Sequence, residues 1–249
     1  MIFRDRREAG RQLAAALTRR GYTGKGTLVL GIPRGGLVVA DEVARALSAT
    51  LDVIIARKLR APYQPELGIG ALVNGDHITL NEELSRAVGA TREYIDREIA
   101  YQKEEIERRL QFYRKEHPAP EVSGKTVIVV DDGIATGYTF RAALESLRER
   151  HPDRLAAAAP VAAPDSAEML KAFADEVVCL STPVFFLAVG RWYQNFDQVS
   201  DEEAATILHR NWSRWSQAAL EDGFIRFHLE VKWIGQKPKK LSSLQERQG

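Results

Sequence analysis

Cysteine is almost missing from this chain. Cys179 stands alone among 249 residues, so no intramolecular disulfide can form and a disulfide-stapled scaffold is excluded. That fits a reducing, cytoplasmic setting. A surplus charge of one sign is missing as well. Thirty-five Lys and Arg face 34 Asp and Glu, for a formal net charge of +1, so no bulk field draws the chain to nucleic acid or to a membrane surface. No apolar run approaches the ~20 residues of a membrane span. The segment Met1 to Glu8 is charged and lacks the apolar centre of a secretory signal. No internal repeat is visible. The length suits one α/β domain with trimmings or two small ones.

What is present centres on one stretch, Val127-Ile128-Val129-Val130-Asp131-Asp132-Gly133-Ile134-Ala135-Thr136-Gly137-Tyr138-Thr139. Its β-branched start reads as a buried parallel strand. Two acids and a loop of small and hydroxyl residues follow, then an amphipathic helix from about Thr139 to Arg150. Amides at a helix N-terminus favour an anion. Acids at the carboxyl end of a strand stand where open α/β sheets bind ligands. A second unit of the same kind runs from the strand Leu28-Val29-Leu30-Gly31 through Ile32-Pro33-Arg34-Gly35-Gly36 into a helix over 37–47. Arg34 there is either a cation for a polyphosphate or a solvated turn residue.

The first stretch resembles the PRPP-binding loop of the type I phosphoribosyltransferases. The resemblance implies an α/β fold with a parallel central sheet flanked by helices, a lid and hairpin insertion, and a C-terminal hood-like segment. It implies that Asp131 and Asp132 are the catalytic pair and hold the ribose hydroxyls. It also implies that Ala135, Thr136, Gly137, Tyr138 and Thr139 cradle the 5-phosphate. The second loop is then the pyrophosphate site, with Arg34 and Gly35, joined by Arg57 and Lys58 at the end of the next strand, Val53 to Ala56. Mg²⁺ would arrive on the oxygens of PRPP, with Asp131 and Asp132 nearby and no dedicated protein cage. The substrates implied are PRPP and an acceptor the sequence leaves open. A PRPP-binding regulatory module and a sugar-phosphate phosphohydrolase are open alternatives. One departure is informative. Where 6-oxopurine members carry an Asp, this chain has Ala135, which cannot move a proton.

Other segments fill in the domain, expected over 1–210. A helix covers about 5–20 and ends at Gly21. Residues 60–68, with Pro62, Pro65 and Gly68, read as a loop at the family's lid position. Ile69–Val73 and His77–Leu80 read as strands joined by an Asn74-Gly75 turn. His77 lacks a second ligand and reads as structural. A charged helix from Thr91 to about Glu116 carries Tyr94, Ile95, Ile99, Tyr101, Ile106, Leu110 and Phe112. It either packs across the domain or pairs two copies as a homodimer. Together, 59–120 form the insertion. Pro160 argues that the strand 154–163 ends early or lies at an edge. Asp165-Ser166-Ala167-Glu168 reads as a capping box for a helix through Ala174. The strand 176–180 makes Cys179 a buried, inert thiol. In the hood-like segment 182–197, Phe186, Trp192 and Tyr193 either stack on the acceptor or fill a satellite core. Ser200 caps a final helix. Residues 211–249 form an extension with Trp212, Trp215 and Trp233, then Lys237, Lys239 and Lys240 in a tail expected to be poorly ordered from Gln236.

Overall fold

The computed structural model describes residues 1–24 and 26–221. The chain opens with helix α1 (Arg6–Arg19), strand β1 (Thr27–Gly31), helix α2 (Gly35–Leu47) and strand β2 (Thr50–Val53). Strands β3 (Ala56–Ala61), β4 (Gln64–Val73) and β5 (His77–Leu80) follow, then helices α3 (Glu82–Ala87) and α4 (Arg92–Arg114). The second half runs β6 (Thr126–Val130), α5 (Tyr138–Arg148), β7 (Arg154–Val161), α6 (Pro164–Leu170) and β8 (Glu176–Ser181). A 3-10 turn at Val189–Trp192 and helix α7 (Asp201–Glu221) complete it. The chain divides into two compact units, Met1–Trp212 and Ser213–Gly249; both sheets lie in the first. Trp233 and the tail expected from Gln236, with Lys237, Lys239 and Lys240, lie outside the described residues.

Strands β2-β1-β6-β7-β8 form, in that order, a wholly parallel sheet. Its residues alternate between two cores, as a period of two dictates. Leu28, Leu30, Val127 and Val129 pack with Phe140, Leu144 and Leu147 of α5 and Leu170 of α6. Val29, Ile128 and Val130 pack with Leu13 and Leu17 of α1 and Leu37 and Val43 of α2. Burial on both faces explains why these strands read as unbroken apolar runs. The chain steps from β1 outward to β2, then crosses back to β6 on the other side of β1. That reversal opens a crevice between the carboxyl ends of β1 and β6.

Helices α1, α3, α4 and α7 begin where a side chain caps them. Asp5 accepts from the Glu8 amide at 2.7 Å, Asn81 from Leu84 at 2.9 Å, Thr91 from Tyr94 at 3.2 Å and Ser200 from Glu203 at 3.1 Å. The capping box expected at Asp165–Glu168 does not form. Pro164 occupies the first turn of α6, which begins after Ala163 without a side-chain cap and ends at Leu170.

Three other expectations are corrected. The stretch Val53 to Ala56 is not one strand, because the chain changes sheets inside it. Ile54 N still bonds to Gly31 O at 3.1 Å, whereas Ile55 N bonds to Asn74 Oδ1 at 3.0 Å. Arg57 and Lys58 therefore stand inside β3 of an antiparallel sheet, β3-β4-β5, and not at the carboxyl edge of the central one. The expected lid loop 60–68 is the far end of that β3–β4 hairpin. Ala61 pairs with Gln64 and Arg60 with Gly68, so Pro65 falls in a bulge that needs no ladder amide. Strand β7 is interior, between β6 and β8, and its Pro160 lies beyond Ala158, where pairing with β6 ends.

The Asn74-Gly75 turn forms as expected, both residues having positive φ (48° and 89°). Helix α4 packs across the domain. Ile106 and Tyr113 are fully buried, and Tyr94, Ile95, Ile99 and Leu110 pack against the same core. Tyr101 and Phe112 point away and are exposed. No described helix is long and apolar enough to cross a membrane.

Candidate active site

The two loops meet in the crevice between β1 and β6. Their closeness is set by glycine. A Cβ on Gly35 would lie 1.9 Å from Asp132 Oδ2, and one on Gly36 would lie 2.9 Å from the Val130 carbonyl oxygen and the same distance from Asp131 Cα. The backbone between them is linked by Ile32 N donating to Val130 O at 2.9 Å. The Pro33–Arg34 peptide is cis.

Asp131 and Asp132 follow β6 directly. The Asp132 amide donates to Asp131 Oδ1 at 2.8 Å. Burial, then the charge of Asp132, push the carboxyl of Asp131 well above the ordinary carboxylate range, against the pull of Arg6. Asp132 Oδ2 accepts from Arg6 Nε at 2.6 Å, in a pair largely shielded from solvent. The Arg6 guanidinium also donates to Asp197 O at 2.7 Å and lies 3.8 Å from the centre of the Phe196 ring. Arg6 thus ties the start of α1 and the segment after the 3-10 turn to the acidic pair. No sequence motif marks it, since 126 residues separate it from Asp132.

Past the acids, Gly137 takes a positive φ of 72° and opens α5. Among the described residues, the amides of Ala135, Thr136, Gly137, Tyr138 and Thr139 have no protein acceptor. Ala135, Thr136, Tyr138 and Thr139 are exposed. The loop is braced from behind, where Ser166 Oγ donates to Ala135 O at 2.5 Å. The result is a row of outward amides at the positive end of a helix, an arrangement suited to a phosphate.

The remaining expected site residues divide. Arg34, on the loop after β1, is a third exposed, with Asp201 Oδ2 4.0 Å away. Arg57 Nε donates to Gln102 Oε1 at 2.8 Å. Lys58 turns to the hairpin, its Nζ donating to Glu66 O at 2.5 Å and lying 3.6 Å from the Glu66 carboxylate. Tyr193 is not an open stacking platform. It is buried against Phe3 and Phe196, at ring separations of 5.5 and 5.1 Å, and its hydroxyl donates to Asp132 O at 2.6 Å. Phe186 and Trp192 pack on the same satellite core. Tyr193 therefore braces the acidic turn, a role its aromatic neighbours in sequence do not reveal. Cys179 is partly rather than fully buried in β8, and burial pushes its thiol up to about 11.

Among the described residues, no group of three or more His, Cys, Asp or Glu could hold a metal ion. Asp131 and Asp132 offer carboxylate oxygens, the donors a hard cation takes, with Asp132 Oδ2 already engaged by Arg6.

Comparison with known proteins identifies the family. A family model described as the phosphoribosyl transferase domain matches residues 4–194. Two Mycobacterium tuberculosis proteins, from strains CDC 1551 and H37Rv, carry the provisional name phosphoribosyl transferase. Each is 40% identical over 221 residues, covering 89% of this chain and 49% of its own length. The chain thus spans about half the length of these curated relatives. The crystal structure of TT1426 from Thermus thermophilus is 45% identical, covers 84% of this chain and 98% of its own, and superposes with a TM-score of 0.73. With the family's domain running through both loops and the elements that hold them, the chain belongs to the phosphoribosyl transferase family.

Proposed function

We propose that the chain moves ribose 5-phosphate from Mg-PRPP to a nitrogen nucleophile, a nucleobase or similar, with release of pyrophosphate. The observation that carries this reading is the meeting of two loops at one crevice. One offers Asp131 and Asp132 ahead of a row of free amides, and the other offers Arg34 beside a glycine pair that admits close approach. The amides from Ala135 to Thr139 grip the 5-phosphate. The acidic pair takes the ribose hydroxyls, held in place by Arg6 and by the Tyr193 hydroxyl. In the reaction the bond from the ribose anomeric carbon to the diphosphate oxygen breaks. A bond from that carbon to the acceptor nitrogen forms as the nitrogen gives up its proton to solvent, and the electron pair of the broken bond leaves with pyrophosphate. The protein's contribution is position and charge, with Arg34 offsetting charge that grows on the leaving group. Bound Mg²⁺ would add neutralisation of the diphosphate, carried by the ligand's oxygens beside Asp131 and Asp132.

Ala135 bears on the acceptor. It exposes a methyl group where a general acid or base would serve a 6-oxopurine, which favours an acceptor already nucleophilic at neutral pH, such as an orotate-like or amine group. The test is pyrophosphate release from Mg-PRPP across a panel of bases and amines. Acceptor-dependent release supports transfer. Acceptor-independent release would make the chain a hydrolase, and tight binding without release a PRPP sensor.

A further inference from the structure

Arg6 is the first residue of α1, and three separate segments meet on its side chain. The first is the acidic turn, where Arg6 Nε donates to Asp132 Oδ2 at 2.6 Å. The second is the segment after the 3-10 turn. There Arg6 Nη1 donates to Asp197 O at 2.7 Å, and the guanidinium lies over the Phe196 ring at 3.8 Å. The third is the loop after β1. A Cβ on Gly35 would lie 2.7 Å from Arg6 Nε and 1.9 Å from Asp132 Oδ2, so the bare glycine leaves the space that this pair fills.

The residues before α1 hold Arg6 in that place. They run beside the 3-10 turn and the residues that follow it. Phe3 N donates to Trp192 O at 2.8 Å, Gln194 N to Phe3 O at 2.8 Å and Asn195 N to Arg4 O at 2.9 Å. Phe3 is fully buried, with Tyr193 beside it at a ring separation of 5.5 Å. The Tyr193 hydroxyl reaches the Asp132 carbonyl at 2.6 Å. Asp132 is therefore held twice from one side, at its backbone by Tyr193 and at its carboxylate by Arg6.

The Arg6 bond fixes the carboxylate without using it up. An ionised carboxylate offers about four acceptor sites on its two oxygens, so hydroxyl donors can share the group with a guanidinium. The planar fork adds direction as well as charge, since its separate nitrogens bond Asp132 and Asp197 at once. Both side chains of the pair are largely shielded from solvent, where such a bond is less screened.

We propose that Arg6 is a positioning residue for the transfer reaction, holding the Asp132 carboxylate toward the ribose hydroxyls of PRPP and in register with the loop after β1 and the segment 196–197. Arg6 acts on the substrate only through Asp132. The proposal rests on the PRPP reading above.

The test is a double-mutant cycle read in ligand affinity rather than in stability. Wild type, Arg6→Gln, Asp132→Asn and the double variant are titrated as full chains with Mg-PRPP and with magnesium pyrophosphate, and circular dichroism melts check folding. Arg6→Gln should lose about tenfold in Mg-PRPP affinity, the size of a moderate coupling between contacting residues. Pyrophosphate brings no hydroxyl to Asp132, and its affinity should stay within about twofold. In the Asp132→Asn background the same Arg6→Gln change should cost Mg-PRPP less than about twofold, because the carboxylate it holds is gone. Equal Mg-PRPP losses in both backgrounds would show general support of the fold and overturn the proposal. So would equal losses for Mg-PRPP and pyrophosphate, or unchanged Mg-PRPP affinity in a folded Arg6→Gln. Each of these leaves the transferase reading standing, since wild type still binds Mg-PRPP. A wild type that does not bind Mg-PRPP would overturn both. If Arg6→Gln does not fold, Arg6→Lys keeps the charge but cannot bond Asp132 and Asp197 through separate nitrogens. Weakened Mg-PRPP binding there, with pyrophosphate unchanged, supports the proposal, and wild-type affinity overturns it.

Discussion

Asp131 and Asp132 are adjacent in sequence but differ in surroundings. Asp131 is enclosed beside its neighbour's charge, and the folded chain therefore binds a proton there more tightly than the unfolded chain does. Its stabilising contribution is full below the ordinary value of 3.8 and is lost as pH rises through the raised folded value. Asp131→Asn removes that loss. The variant should melt close to wild type in acid and above it at neutral pH, and a difference that does not vary with pH would contradict the account. Asp132 has Arg6 instead. A double-mutant cycle with Arg6→Gln and Asp132→Asn should give a coupling of roughly 0.5–3 kcal/mol in chemical denaturation. Strict additivity would show that the 2.6 Å pair contributes nothing. The acidic pair was legible from the sequence because strand, acids and glycine are contiguous. Arg6 and Tyr193 were not, because they reach the pair across the fold from distant segments.

At the scale of elements, contiguity again decides what could be read. β6, its loop and α5 form one local unit, as do β1, its loop and α2, and both emerged from the sequence within a few residues. The Asn74-Gly75 hairpin and the Thr91 and Ser200 helix starts rest on local chemistry and were equally legible. The β3–β4 hairpin was not. Its strands carry Pro65 and Gly68, and its ladder slips at Arg60, so turn signals and strand signals overlap. The apolar run through Ile54 and Ile55 hides a change of sheet, because burial is continuous across it while the bonding partners change. Two outcomes follow for these elements. Gly36→Ala would press a methyl group onto the Val130 carbonyl and Asp131 Cα, 2.9 Å away, and should cost about 1–3 kcal/mol of stability. A neutral substitution would show that the loops are not in close contact. Lys58→Ala should weaken pyrophosphate binding less than Arg34→Ala does, because Lys58 is engaged by Glu66. The reverse order, measured by calorimetry, would return Lys58 to the site.

For the whole molecule, the sheet order β2-β1-β6-β7-β8 is what creates a site. The loop after β6 carries the resemblance on its own, whereas the loop after β1 alone does not distinguish a phosphate grip from an ordinary turn. The reversal of strand order brings them together, and the family match covers both. The reaction class was legible from the two motifs once they were taken as a pair. The acceptor was not, because the residues expected to stack on it are drawn into a satellite core around Phe3 and Tyr193. Ala135 still limits the choice. Turnover with hypoxanthine or guanine should fall below that with the best acceptor by about 10²–10⁴-fold, the usual worth of general acid-base help. Comparable rates that persist in a Glu66→Ala variant would show that neither position 135 nor the hairpin governs the proton.

The central claim is that the two loops together hold PRPP, and titration calorimetry with Mg-PRPP reaches it most directly. Wild type is compared with the Asp131→Asn, Asp132→Asn double variant after melts establish that both are folded. Wild type should bind, and the double variant should lose at least tenfold in affinity, since each charge-assisted contact contributes roughly 1.5–3 kcal/mol. Equal affinity in the two proteins, or no binding by wild type, would contradict it.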